Sequence, residues 1–292
     1  MFDIDVYENI KLLVKPELDS IDSLISSIGS VSYDFDNALL SFFKAPSKQI
    51  RSVVSFLFFK ALGCEINDKF IKLQTSIEII HNATLIHDDV IDNSLLRRGI
   101  ETFNSKFDNS LAVISGDYLL SVALKHLLSI DNCEILNIFS EVIQKMCVGE
   151  ITQYFDKFKL PNIENYIEKS KYKTASLFMA SFESACILCD FEKTFAIEFA
   201  ENFGIAFQIR DDILNFSKID NKPVSNDYSN GIYTAPIIFA NGNIENISVG
   251  IEKAKQLLDN YLCCCKQILD NVIYSENIYK NALLEILELL KL

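Results

Sequence analysis

An all-α fold is what this chain predicts, on three observations. Gly and Pro number only nine and five in 292 residues, against 49% hydrophobic residues, which favours long helices with short connections. Apolar residues recur at helical spacing along most of the chain. No low-complexity linker and no composition break divides it, so residues 1–292 read as one domain of about a dozen helices.

The elements follow in order. Residues 1–43 carry amphipathic patterns (Val6, Ile10, Leu13, then Ile21, Leu24, Ile28), broken near Pro16 and Gly29. Lys44-Ala-Pro-Ser-Lys-Gln-Ile-Arg-Ser reads as a loop entering a helix, with Ser47 as candidate N-cap. Lys48 and Arg51 lie near that N-terminus, where exposed N–H groups also favour an anion; an ordinary exposed helix start explains them equally well. Residues 50–63 and 68–93 read as long apolar helices, followed by a loop around Gly99. A helix from Ser110 to about Ser129 contains Gly116-Asp117. Asp131 with Glu134 reads as a capping pair opening a helix to about Tyr154, which bears Gly149-Glu150-x-x-Gln153. Residues 164–189 form a further helix, with Lys173-Thr174 embedded, and 192–216 another. The polar, turn-rich stretch 217–233 directly follows and suits a lid. Helices at about 247–272 and 277–291 close the chain.

Composition excludes several classes. A formal net charge of −13 argues against nucleic acid and against an anionic membrane surface. Eight Cys include Cys186-x-x-Cys189 and Cys263-Cys264-Cys265, but His occurs only at 81, 87 and 126, so zinc lacks its partners. These cysteines are expected to be small buried hydrophobes in a reducing compartment. The N-terminus is acidic rather than basic, unlike a signal peptide. The most apolar run, Val53 to Cys64, falls short of the roughly 20 residues that a bilayer span needs. A soluble, cytoplasmic protein without a transmembrane segment is expected.

Two short acidic segments carry the chemistry. Asp88 and Asp92 stand four apart, so both carboxylates share one helix face and repel. A hard divalent cation relieves that repulsion, because Mg²⁺ takes one or two carboxylates together with phosphate oxygens. Arg97 and Arg98 follow, with planar forks that suit phosphate. Alone, such an acidic pair is most often solvated helix surface. The near-repeat Asp211-Asp212-Ile-Leu-Asn215, again after an apolar helical run, changes that balance. Two facing acid-rich helices are the expected holder of a metal-bound diphosphate. The chain has 23 Lys but only four Arg, at 51, 97, 98 and 210, so the arginines mark positions where a guanidinium is needed. Arg210 is equally well a surface partner of Asp211.

In combination, Asp88-Asp89-Val-Ile-Asp92 with Arg97-Arg98-Gly99, then Gly116-Asp117, Lys173-Thr174 and Phe207-Gln208-x-x-Asp211-Asp212 make a specific set. With them the chain resembles the trans-isoprenyl diphosphate synthases, the head-to-tail polyprenyl synthetases, along essentially its whole length. The resemblance implies a helical bundle around a central cavity, normally a homodimer. It implies about three Mg²⁺ ions per site, with Asp88, Asp92, Asp211 and Asp212 as metal residues. Arg97, Lys173 and Lys222 would assist them on the diphosphate of an allylic substrate. Isopentenyl diphosphate would sit on Lys48, Arg51, His81 and Arg98, although His81 by itself is equally a satisfied core histidine. Thr174 and Gln208 would stabilise an allylic cation through their oxygen dipoles, in a cavity that excludes water.

Three departures from the family pattern stand out. Pro46-Ser47-Lys48-Gln49 replaces a Gly-Gly-Lys-Arg loop, Asn215 replaces the last Asp of the second motif, and Ile232 stands where many members carry Lys. Below Asp88 on the same helix lie Ala83 and Thr84, then Ile80 and Ser76, the expected wall of a growing product. Ala83 and Ser76 are small, so the reading is a long-chain (hepta- to octaprenyl) product for quinone side chains, delivered to a membrane. A short-chain synthase and a regulatory subunit of a heteromeric synthase are the alternatives, the second kept open by Asn215 and Gln49. A terpenoid cyclase fits worse, having no second diphosphate for Lys48 and Arg51 to hold.

Overall fold

The computed structural model describes residues 3–29, 31–217, 226–274 and 276–292. These are almost entirely helical, as expected, and fall into two compact units: Lys11–Leu136, and Asn137–Leu292 together with the chain up to Ile10.

The chain enters through α1 (Ile4–Lys11), then a 3₁₀ turn leads into α2 (Lys15–Ser26), α3 (Tyr33–Lys44) and α4 (Ile50–Ala61). Pro16 sits in the first turn of α2, where its missing N–H costs nothing. The N-cap of α4 is Gln49, in a left-handed conformation at φ 48°, and not Ser47. Ser47 Oγ instead accepts from the Gln49 backbone N–H at 3.3 Å, a local turn that delays the helix.

The axis of the first unit is α5 (Asp68–Ile91), opened by Asn67, whose side chain accepts from the Phe70 N–H at 3.0 Å. Every residue from Leu73 to Ile80 is buried, so the polar ones need internal partners. Gln74 Nε2 donates to Ser55 Oγ at 2.9 Å, and Ser76 Oγ donates to the Lys72 carbonyl at 2.8 Å. The loop after α5 contains a small exception to the all-α pattern. Leu96–Arg97 and Ile100–Glu101 form an antiparallel hairpin, β1 and β2, closed by Arg98 and Gly99 at φ 53° and 81°. After the short α6 (Phe103–Lys106), α7 (Asn109–Leu128) packs along α5.

α7 is the one described helix long and apolar enough to cross a membrane, by length and composition; a third of that apolar window is buried. It is longer than Val53–Cys64, the most apolar run by sequence. α7 passes because Asp117 is its only charge before Lys125.

α8 (Cys133–Phe155) is opened by Asn132, whose Oδ1 accepts from the Ile135 N–H at 3.1 Å. Asp131, expected as the cap, is instead left-handed at φ 57°. In the larger unit follow α9 (Ile163–Ser170), α10 (Ser176–Cys189) and α11 (Thr194–Ser217). α9 and α10 are not one helix: Lys171–Ala175 is a π-helical turn between them. Phe178, Phe182, Phe199 and Phe203 build an aromatic core between α10 and α11, with adjacent ring centroids 5.4–5.9 Å apart. The short α12 (Asn226–Ser229) and α13 (Ala235–Phe239) precede α14 (Ile247–Val272) and α15 (Ile278–Leu290).

All eight cysteines are free, but only Cys186 and Cys265 are buried. Cys263 and Cys264 are exposed, because successive positions on the amphipathic α14 cannot all face the core.

Candidate active site

In the unit Lys11–Leu136, the last turn of α5 presents Asp88, half-buried, and the exposed Asp92, which caps the helix. Asp89 points the other way and is 1% exposed. Arg97 Nε donates to its Oδ1 at 2.7 Å, while Oδ2 is buried with no hydrogen-bond partner. Burial raises the Asp89 carboxyl above its usual range despite the attraction of Arg97. The helix end is tied to its neighbour by His87, whose Nε2 lies 3.1 Å from the Val113 carbonyl of α7. The ring lies against Gly116, where a Cβ would come within 2.1 Å of His87 Nε2 and force the ring aside.

Two to three turns further down α5 is a buried polar cluster. Arg51, 9% exposed, lies near Glu78, 3% exposed, and Ser52 Oγ donates to Glu78 Oε1 at 2.6 Å. Arg98, held left-handed by the hairpin turn, reaches Asn82 Oδ1 with Nη1 at 3.4 Å. Burial pushes Arg51 down to about 10 against the attraction of Glu78, and Arg98 also shifts down. Burial, then Arg51 and Arg98, hold His81 well below its usual value, so it is neutral. Burial raises Glu78, opposed by Ser52 and the two arginines. Two guanidiniums share one carboxylate, which leaves the cluster receptive to an anion. Lys48 is exposed just before α4.

Along the same helix Ala83, Ile80 and Ser76 are fully buried and Thr84 half-buried. Thr84 Oγ1 donates to the His81 carbonyl at 2.8 Å, and Ser76 Oγ also lies 3.4 Å from the Ala123 carbonyl of α7.

In the larger unit, the π-helical turn carries Lys173 and Thr174; an extra residue in a helical turn re-aims side chains, and such turns recur at functional sites. Lys173 Nζ is paired with Glu150 Oε2, and Gln153 Nε2 donates to Glu150 Oε1 at 3.2 Å. Thr174 Oγ1 donates to Gln208 Oε1 at 2.6 Å. α11 reaches that close because Gly204, one turn before Gln208, has no Cβ; one there would lie 2.6 Å from Ala175 Cα. Asp211 is exposed, whereas Asp212 is 3% exposed. Gln208 Nε2 donates to Asp212 Oδ1 at 2.7 Å and Tyr166 Oη to Oδ2 at 2.6 Å. Burial raises Asp212 to about 7, opposed by those two bonds. Asp212, expected beside the metal, thus spends both oxygens inside the protein.

Asn215 Nδ2 donates to Asp227 Oδ2 at 3.3 Å. Lys222 lies outside the described residues. Ile232 lines a cavity of about 490 Å³ with Gln153, Tyr166, Lys169 and Tyr233.

Sequence reasoning passed over Glu78, Asn82 and Tyr166, and gave Glu150 and Gln153 no role. Glu78 was legible as a carboxylate one turn before His81 in an otherwise apolar helix. Tyr166 gave no signal, because its partner Asp212 is 46 residues away.

Among the described residues no three His, Cys, Asp or Glu side chains form a ready metal cage. The outward carboxylates still fit Mg²⁺, which characteristically completes its shell with phosphate oxygens and water.

Residues 34–261 match the polyprenyl synthetase family. The chain is 39% identical over 207 residues to a prenyl transferase of Synechocystis sp., covering 68% of this chain and 64% of that one. It is 37% identical over 231 residues to the chloroplastic solanesyl diphosphate synthase 2 of Arabidopsis thaliana, covering 75% of this chain and 55% of that one. The chain therefore spans less than two thirds of the length of these two relatives. The crystal structure of heptaprenyl diphosphate synthase from Staphylococcus aureus superposes with a TM-score of 0.85 at 26% identity, over 94% of this chain and 97% of that one.

Proposed function

The chain belongs to the polyprenyl synthetase family, and on that premise we propose that it condenses isopentenyl diphosphate head-to-tail onto an allylic diphosphate. The observation that carries this is the pair of poles on one helix. Outward carboxylates at Asp88 and Asp92 end α5, and the Arg51–Glu78–Arg98 cluster lies further down it. Two different diphosphates need two such poles; a cyclase needs one.

Asp88 and Asp92 in one unit, and Asp211 in the other, would each hold Mg²⁺, which when bound would supply Lewis-acid neutralisation of a departing diphosphate. Arg97 keeps Asp89 with Nε and has its terminal amino groups for the same diphosphate. Lys173 is held at the site by Glu150, and Lys222 would add a further cation. Arg51, Arg98, neutral His81 and Lys48 hold isopentenyl diphosphate without metal. The allylic C–O bond breaks with its electron pair leaving on diphosphate, and Thr174 and Gln208 turn oxygens toward the cation. The isopentenyl double bond attacks the allylic carbon. The proton lost from the adjacent carbon goes to the released diphosphate.

Small residues at Ala83 and Ser76 favour a long product, of the hepta- to octaprenyl kind. The names of the Arabidopsis and Staphylococcus relatives point the same way. The exposed face of α7, with Val113, Ile114, Leu124 and Leu128, supports a homodimer. The reading includes a cytoplasmic enzyme that hands its product to a membrane.

Steady-state kinetics with Mg²⁺ test the two poles. Arg51→Ala should raise KM for isopentenyl diphosphate and spare that for the allylic primer, whereas Asp88→Asn should mainly lower kcat. Equal effects of Arg51→Ala on both KM values would contradict the assignment. Ala83→Phe should shorten the product, and an unchanged product would refute the wall.

A further inference from the structure

A hydrogen-bonded line runs through the second acidic segment, from Tyr166 to Asp212 to Gln208 to Thr174, with links of 2.6, 2.7 and 2.6 Å. From it we infer that Tyr166 and Asp212 are positioning residues, which fix the Gln208 amide with its oxygen toward Thr174, and that Asp212 is not a metal ligand. The inference rests on the reading that Thr174 and Gln208 face an allylic cation.

With Asp212 ionised, the donor and acceptor inventory allows one arrangement. An ionised carboxylate only accepts, so both of its neighbours must present hydrogens. Tyr166 supplies one and the Gln208 NH₂ the other, which turns the Gln208 carbonyl to Thr174. Thr174 commits its single hydroxyl hydrogen to that carbonyl. What the Thr174 hydroxyl presents elsewhere is therefore lone pairs, which attract a cation, rather than a hydrogen, which repels one. The sign of the dipole at Thr174 is thus set two links away, by an acid that touches no substrate. Asp212, 3% exposed and with a donor on each oxygen, is shut off from a metal, while its exposed neighbour Asp211 is open to one.

Asp212→Asn tests this with almost no change of shape. An Asn oxygen accepts from Tyr166, and its NH₂ then faces residue 208, so the Gln208 amide must flip. The expected result is kcat lower by about a hundredfold, the scale of losing one oriented dipole, with both KM values within about twofold. Mn²⁺ affinity, measured by electron paramagnetic resonance with inorganic pyrophosphate, should match wild type in Asp212→Asn and fall in Asp211→Asn. Tyr166→Phe should lower kcat by about tenfold with the same KM pattern, and decides the matter if Asp212→Asn fails to fold. Thermal unfolding of each variant shows that the kinetics are read on folded protein. Loss of Mn²⁺ binding in Asp212→Asn comparable to that in Asp211→Asn, or wild-type kcat in either relay variant, would overturn the inference. The Mn²⁺ comparison needs no turnover. An inactive wild-type chain would sink the proposed reaction, while the metal arm would still decide the place of Asp212.

Discussion

The two acidic segments both begin Asp-Asp and are alike in apolar character at the next two positions, and each sends its first carboxylate outward and its second inward. Asp88 and Asp211 are half-buried and exposed, whereas Asp89 and Asp212 are 1% and 3% exposed. The inward acids are held by opposite means. Asp89 has one hydrogen-bonded cation, Arg97, and one oxygen without a hydrogen-bond partner. Asp212 has two neutral donors, Tyr166 and Gln208, and no oxygen to spare. The outward sides differ too, since Asp92 gives the first segment a second exposed acid and Asn215 gives the second segment an amide bound to Asp227. Two similar segments thus give their inward acid a charged support in one case and a hydrogen-bonded relay in the other. A buried carboxylate balanced by one charge is sensitive to losing it; one shared between two neutral donors loses less with either.

The comparison breaks most sharply at the outward acids. Asp88→Asn should lower condensation by about a thousandfold and Asp211→Asn by much less, measured as diphosphate release at saturating substrate. Equal losses would mean that the two poles contribute alike. Next come the supports of the inward acids. Arg97→Ala strands Asp89 and should cost about 3 kcal/mol in urea unfolding, against about 1 kcal/mol for Tyr166→Phe. The reverse order would contradict the charged-versus-neutral distinction. Smaller again is the packing that brings each segment to its partners. At Gly204 an added Cβ meets backbone, Ala175 Cα at 2.6 Å, so Gly204→Ala should cost about 2 kcal/mol. At Gly116 the obstacle is the His87 ring, which can turn aside, so Gly116→Ala should cost about half of that by the same measurement.

Much of this was readable from sequence because it is local. Helical periodicity placed α14 and α15 to within a residue of their observed bounds, and the spacing of Asp88 and Asp92 set their common face. What was missed is non-local or left-handed. The π-helical turn at Lys171–Ala175 looks like ordinary helix by composition, and its Ala175 end packs against Gly204, 29 residues away in sequence. The caps at Gln49 and Asn132 depend on positive φ at Gln49 and Asp131, which polar type alone does not announce. Asp212 carries the same letter as Asp211, and one step along a helix turns it about 100° from solvent into the core.

The most direct test of the account is incubation of the chain with Mg²⁺, labelled isopentenyl diphosphate and farnesyl diphosphate, with the products sized by chromatography. A ladder ending several isoprene units beyond the primer, abolished by chelation of the metal, is the expected result. No extension of the primer under these conditions would contradict it.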